Sequence, residues 1–413
     1  MKVTSTGAGI SFADLESFVR EHAQAFIQSI LEAEVNELLG RGKSERRVNG
    51  ELAGYRNGHG EERRLCTSIG TVRVRRPRVR AMNDAFVSRV LPLFQRSTTQ
   101  VGELLPQLYL HGLSLGDFDL AMRGLLGDGA ALSPQSIARL KAVWQAEYAS
   151  WNQRSLAGEQ VVYAWVDGIY VKAGLEKEKA ALLVVIGALT DGSKRVLAVQ
   201  SGHRESEASW SALLRDLKAR GMRAPRLFVG DGHLGIWSAL SNIFPESEQQ
   251  RCWNHRLRNV LDCVGKKRQA EAKALLTKVM YAPSLKAAED GKRVFQTWAR
   301  SQQYDKAADA LDRDWERLVA YYGLPKEHWL HLRTTNIVES PFAGVRLRTA
   351  ASKRYKRVDG ASAMIWKLLM VAEHTFRKLH APELMAEVAA GAAYSDGVKV
   401  TLSELPQEYK KAA

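Results

Sequence analysis

An α/β fold, with a mixed five-stranded sheet and helices behind a mostly helical basic region, is predicted by three features of this 413-residue chain. The first is Val161 to Lys172, β-branched and aromatic with almost no good helix formers, which reads as a strand buried on both faces. The second is a run of strand, turn and helix signals downstream of it. Ala181 to Leu189 is another apolar strand, Asp191-Gly192 a hairpin turn, Arg195 to Val199 a third strand, and a helix then leads to Arg226 to Gly232. The third is wholly helical patterning from about Lys266 to His331, an all-α stretch inside an otherwise α/β half.

We divide the chain as 1–40, 41–96, 97–155, 156–265, 266–331, 332–390 and a tail, 391–413. In the first segment, Ser11 to Leu39 reads as an amphipathic packing or dimerisation helix capped by Ser11, with Phe18, Phe26, Ile30, Leu31, Val35 and Leu38 at helical spacing. The second segment is arginine-rich with short strands. Arg46, Arg47, Arg56, Arg73, Arg75, Arg76, Arg78 and Arg80 far outnumber acids, and Val72 and Val74 alternate with Arg73 and Arg75 to give a strand with an arginine face. The guanidinium fork suits phosphate, so we expect DNA contacts here, with a solvated basic loop as the plainer reading. The third segment predicts helices over 101–111, 114–126 and 134–148, the last with Ser133 as cap and Pro134 in its first turn. Such units read DNA or simply pack.

In the core, Asp167 lies within the central strand. An ionised carboxylate there is costly to desolvate unless a cation compensates it. Ser206 to Arg220 predicts a helix stopped by Gly221, and the right-handed crossover it makes brings Asp231 beside Asp167. Each aspartate precedes a glycine. We discount a turn at Asp167, where strand pattern continues on both sides, but a turn at Asp231-Gly232 stays open. Helices are expected over 235–242 and 252–264, with a fifth short strand over 249–252. Cys252 and His255 stand at a ligand-like spacing, yet no second Cys/His pair completes a zinc set. The insertion-like stretch predicts helices 266–280, 285–300 and 304–322. Glu339 either closes a capping box from Asn336 or precedes a helix opened by Ser340 and Pro341. Beyond it run Arg346 and Arg348, the basic loop Lys353, Arg354, Lys356 and Arg357, and an apolar helix over 361–379. All are candidates to lie along DNA.

Five motifs in order, Tyr55-Arg56-Asn57-Gly58-His59, Val229-Gly230-Asp231-Gly232-His233, Gln250 to Val260 around Cys252-Trp253-Asn254-His255, Thr334 to Ser340, and Arg346-Leu347-Arg348-Thr349, resemble bacterial insertion-sequence transposases of the Mutator type. The likeness runs from about Phe12 to His380, and its specificity lies in order and spacing. The resemblance implies a ribonuclease H-like catalytic core with an all-α insertion, a DDE triad of Asp167, Asp231 and Glu339, and recognition of terminal inverted repeats by the N-terminal half. It also implies a homodimer on paired ends and a copy-out-paste-in route. By position, Trp253 would stack on an unpaired base, with Cys252 and His255 shaping the site; a buried Trp with a satisfied His is the alternative. The family often has a proline after the asparagine where this chain has Ile337, which blurs the helix start.

Three such acids would suit two Mg²⁺ ions, with Mn²⁺ able to substitute, Asp167 bridging both and Asp231 and Glu339 completing one each. The expected reaction is DNA cleavage and strand transfer without a covalent enzyme intermediate. A net charge of +15 fits a polyanionic partner such as double-stranded DNA. Three cysteines argue against a disulfide framework. The N-terminus lacks a basic segment followed by an apolar core, and no run approaches membrane-spanning length, so we expect a cytoplasmic, nucleoid-associated protein. The rival class is a non-catalytic DNA-binding regulator or domesticated derivative; a structure-selective nuclease is a second.

Overall fold

The computed structural model describes residues 14–45, 54–82, 86–92, 95–113, 115–126, 134–174, 179–202, 205–232, 234–352 and 354–400. Two compact units divide the chain, residues 1–140 and 141–413.

In the first unit, α1 (Leu15–Leu39) buries Leu31, Val35 and Leu39 and ends on Gly40 in the left-handed region. Its expected cap Ser11 lies outside the described residues. Strands β1 (Tyr55–Thr67) and β2 (Gly70–Arg80) pair antiparallel, so the short strands expected here are a long hairpin of 13 and 11 residues. The alternation in β2 holds: Val72 and Val74 are buried under α1 with Leu65 and Leu91, while Arg73 and Arg75 face solvent. Helices α2 (Thr99–Leu110), α3 (Leu115–Leu126) and α4 (Pro134–Trp151) fall where periodicity places them. Ser114 and Ser133 lie outside the described residues.

In the second unit, a five-stranded sheet is ordered β5-β4-β3-β6-β7, from β3 (Val161–Val171), β4 (Ala180–Leu189), β5 (Lys194–Gly202), β6 (Leu227–Gly230) and β7 (Glu248–Arg251). The first three strands are antiparallel, and β6 and β7 add in parallel on the other side of β3. Before β6, α5 (Glu207–Ala219) is capped by Ser206, whose hydroxyl accepts from the Ser209 N–H. It stops before Gly221, whose φ of 96° lets the chain reverse. Helix α6 (Leu234–Ile243) joins β6 to β7. Strand β3 serves two cores: Ala164 and Val166 pack with α5 and α6, and Tyr163 and Trp165 with the helices beyond β7.

Those helices are α7 (Trp253–Leu261), α8 (Gln269–Met280), α9 (Leu285–Ser301), α10 (Asp305–Asp312), α11 (Trp315–Val319), α12 (Trp329–Leu332), α13 (Asn336–Glu339), α14 (Phe342–Ser352), α15 (Val358–Glu373) and α16 (Met385–Ala389). The single helix expected over 304–322 is broken at Asp314, which has φ 58°. The carboxylate explains the break, because it turns inward to meet Arg251, Arg256 and Arg317. The chain beyond 390 is not wholly a tail: β8 (Ala393–Ser395) and β9 (Val398–Val400) form a hairpin that buries Tyr394. No helix among the described residues is long and apolar enough to cross a membrane.

Candidate active site

Backbone register brings the two aspartates together. Strand β6 pairs with β3 so that Val166 faces Gly230, and Asp167 and Asp231 are the next residue on each chain. Gly168 continues the strand, pairing with Leu183, so Asp167 is no turn residue. Asp231 is followed by Gly232 at φ 96°, so the turn left open by the sequence does exist, and it leaves the acid at the strand end.

Glu339 arrives from far along the chain, on the one-turn helix α13, which packs against β3 and β4. Thr335 flanks that turn, ahead of both caps the sequence left open, Asn336 and Ser340, and its hydroxyl donates to Glu339 Oε1. The same hydroxyl lies 3.2 Å from the Sγ of Cys252, and the Thr335 N–H points at that sulfur from 3.4 Å. Asn254 Nδ2 donates to Asn336 Oδ1 at 3.1 Å, so α7 and α13 are tied side by side.

His255 stands between the acids, with Nδ1 3.7 Å from Asp231 Oδ1 and 3.8 Å from Glu339 Oε1. That Nδ1 is buried and has no hydrogen-bond partner among the described residues. The adjacent Cys252 sulfur, with the charges of Asp231 and Glu339, pushes the imidazole pKa up to about 9 against the opposing effect of burial. Asp167 is shifted away from an ordinary carboxylate. Burial, opposed by the N–H of Gly168 and reinforced by the charges of Glu339 and Glu205, raises its pKa to about 7.

Acids from three separate elements therefore meet at this point, and one ring nitrogen without a hydrogen-bond partner among the described residues faces them. The oxygen donors fit Mg²⁺, a hard cation that prefers carboxylates and keeps waters. Cys252, His255 and Glu339 also bring their donor atoms within 4.8 Å of one another. The Cys252 sulfur is already approached by Thr335, and three ligands fall short of a closed zinc set.

Of the two readings of Trp253, its position matches the buried ring. It is 1% exposed, meets Trp315 edge to face and donates from Nε1 to the Leu318 carbonyl at 2.7 Å. Stacking on a base would require the ring to leave this pocket. The arginines also divide. Arg73, Arg75, Arg78, Arg80, Arg346, Arg354, Lys356 and Arg357 are exposed and Arg76 half-buried, whereas Arg348 is 3% exposed. Arg56 is held by Glu32 at 2.8 Å and by Asn36, an ion pair inside its own unit. Arg46, Arg47 and Lys353 lie outside the described residues. Glu205 and Thr335 escaped the sequence reading. Thr335 sits inside the Thr334 to Ser340 motif, but nothing in the spacing marks it as the link between Cys252 and Glu339.

The Mutator family transposase model matches residues 4–378. The chain belongs to this family. It is 43% identical over 297 residues to the transposase for insertion sequence element IS6120 of Mycolicibacterium smegmatis, covering 72% of this chain and 92% of that one. It is 40% identical to the transposase for IST2 of Acidithiobacillus ferrooxidans, covering 71% and 99%. Against the transposase for ISRM5 of Rhizobium meliloti the figure is 29%, covering 86% and 87%. As a Mutator family transposase the chain is an insertion-sequence protein, and the acids gathered at the end of β6 are its candidate active site.

Proposed function

We propose that this transposase binds the terminal inverted repeats of its own element and cleaves and joins DNA strands at a DDE site formed by Asp167, Asp231 and Glu339. The observation that carries the proposal is the convergence of these three acids, from a central strand, the end of its parallel neighbour and a distant helical turn, around His255. Three antiparallel strands followed by two parallel ones support a ribonuclease H-like core, and the helices between α7 and α13 support an all-α insertion within it.

Asp167, Asp231 and Glu339 would hold two Mg²⁺ ions. When bound, these supply activation of a water or 3′-hydroxyl and stabilise the leaving oxygen in in-line attack on a phosphodiester. The chain does the rest. The paired strands fix Asp167 and Asp231 to the sheet, and Thr335 fixes the rotamer of Glu339 through its hydroxyl. His255 lies within 3.8 Å of both Asp231 and Glu339, where its ring can position the two carboxylates relative to each other. The exposed arginine face of β2 offers phosphate contacts for positioning, as Arg346, Lys356 and Arg357 do in the second unit. A homodimer on paired ends fits the exposed Leu15, Phe18, Val19 and Phe26 of α1, and a copy-out-paste-in route belongs to the same reading.

Strand transfer decides it. Purified protein with Mg²⁺, a labelled duplex bearing the element end and a plasmid target should give joined product, lost in Asp231→Ala with end binding retained. End binding without cleavage or joining in either protein would replace this reading with a non-catalytic DNA-binding regulator.

A further inference from the structure

Beyond the three acids, a fourth carboxylate reaches the same place from the other side of the sheet. Glu205 precedes the cap of α5, and two glycines make room for it. A β-carbon on Gly168 would collide with Glu205 Oε1 and stand 2.6 Å from its Cδ and 2.9 Å from its Cγ. A β-carbon on Gly235 would stand 2.5 Å from the Glu207 backbone nitrogen, 2.9 Å from the Ser206 carbonyl carbon and 3.1 Å from the backbone carbonyl oxygen of Glu205. Neither glycine has a positive φ, so backbone conformation does not call for glycine at either position. Close approach does.

The two positions have meaning. Gly168 follows Asp167 directly, and Gly235 lies in the first turn of α6, four residues after Asp231. Glu205 is thus clasped between the chain segments that carry the two aspartates. Strand β6 ends opposite Val166 and β3 is next met at Lys172, whose carbonyl accepts from the Tyr355 N–H, so Gly168 lies between these two pairings, where the Glu205 side chain reaches it. Tyr170, on the same side of β3 as Gly168, hydrogen-bonds the Glu205 carboxylate and steadies it. Glu205 and Asp167 thus offer oxygen donors from adjoining positions, the ligand type a hard divalent cation takes from more than one carboxylate.

We propose that Glu205 is a fourth carboxylate of the metal site, which helps Asp167 hold one of the two divalent cations, with Tyr170 as its positioning residue. This rests on the two-ion reading of the triad. Because Mn²⁺ can be followed directly, the test does not depend on turnover.

Mn²⁺ binding is measured by titration calorimetry and electron paramagnetic resonance on wild type, Asp167→Asn, Glu205→Gln, Glu205→Asp and Tyr170→Phe, with melting temperatures as a check on folding. Asp167→Asn should lose both ions. Glu205→Gln should keep one ion and bind the other at least about tenfold more weakly, the scale seen when a metal's supporting groups are removed. Tyr170→Phe should weaken the same ion by a smaller factor, and the Mg²⁺ concentration for half-maximal strand transfer should rise in both. If Glu205→Gln does not fold, Glu205→Asp, which keeps the charge and shortens the reach, must show the same loss. Wild-type stoichiometry and affinity in the folded Glu205 variants, with binding lost in Asp167→Asn, would overturn the role of Glu205 and leave the triad standing. Binding unaffected by Asp167→Asn would overturn both.

Discussion

The indole of Trp253 donates its N–H to the carbonyl of Leu318 at 2.7 Å, joining the helix that follows the sheet to the helical stretch that precedes Glu339. An N–H with a fixed acceptor in a closed pocket makes this ring a structural tie. Trp253→Ala should cost about 3–5 kcal/mol in denaturant unfolding, and Trp253→Phe, which keeps most of the bulk and loses the donor, clearly less. A Trp253→Ala protein of unchanged stability that no longer protects an unpaired base would return the residue to a stacking role.

Thr335 touches both Cys252 and Glu339, so its hydroxyl orients a proposed metal ligand without being one. Thr335→Val removes the hydroxyl at nearly constant shape. Strand transfer and Mn²⁺ affinity should each drop about tenfold with little change in melting temperature, and Thr335→Ser should restore most of both. Equal activity in Val and Ser variants would show that the hydroxyl is idle.

Asp314 answers Arg251, Arg256 and Arg317 where the expected long helix breaks. Asp314→Ala leaves the buried Arg251 and Arg256 without their shared carboxylate, and should destabilise the fold by about 3–5 kcal/mol. Asp314→Asn tolerates the left-handed backbone and keeps hydrogen-bonding capacity, so it should fall between wild type and Ala. Urea midpoints across the three proteins check the order.

His331 is half-buried beside Lys194, His328 and His380, and desolvation first, then those neighbours, lower its pKa to about 4. Burial lowers His328 as well. A base with a depressed folded pKa is protonated more readily when unfolded, so stability rises with pH from about 4 to 6.5 and is lost on acidification. Taking the pH from 7 to 5 should cost about 1 kcal/mol from His331 after discounting for solvent access. Thermal melts of wild type and His331→Gln at both pH values should show the smaller pH dependence in the variant.

Exposed and buried arginines should separate in DNA binding. Replacing Arg73, Arg75 and Arg78 by Gln should flatten the slope of log affinity against log salt by about 0.9 for each phosphate no longer neutralised, with no change in stability. Arg56→Gln and Arg348→Gln should instead lower the melting temperature, because Arg56 closes an ion pair with Glu32 and Arg348 is enclosed. An unaltered slope in the triple variant would place the DNA elsewhere.

Local pattern was enough for the strands and most helices. Residues 161–171 could be read as a two-faced buried strand, and the valines of β2 as its inward side, because period-two alternation and β-branching are properties of neighbouring residues. The approach of Asp231 to Asp167 was also legible, since a right-handed crossover leaves a parallel strand few places to go. Where local pattern failed, a distant partner had won. Helical periodicity over 304–322 ran through Asp314, and only the arginines of β7 and α7 turn it inward. For Trp253 the sequence left two readings open, a stacking ring implied by the resemblance and a buried one, and the ring is buried because the chain around Leu318 packs over it.

The sequence by itself determined the order of elements, the basic balance of the chain, the family and the two aspartates at the centre of a sheet. Tertiary structure alone decided which charges were compensated and by what. It set His255 between Asp231 and Glu339, Thr335 between Cys252 and Glu339, and Glu205 against Gly168. The reason is physical. Periodicity and turn chemistry act over a few residues, whereas hydrogen bonds and charge depend on distance in space, and folding brings residues 167, 231, 255 and 339 into reach of one another only when the sheet and the helices over it have closed.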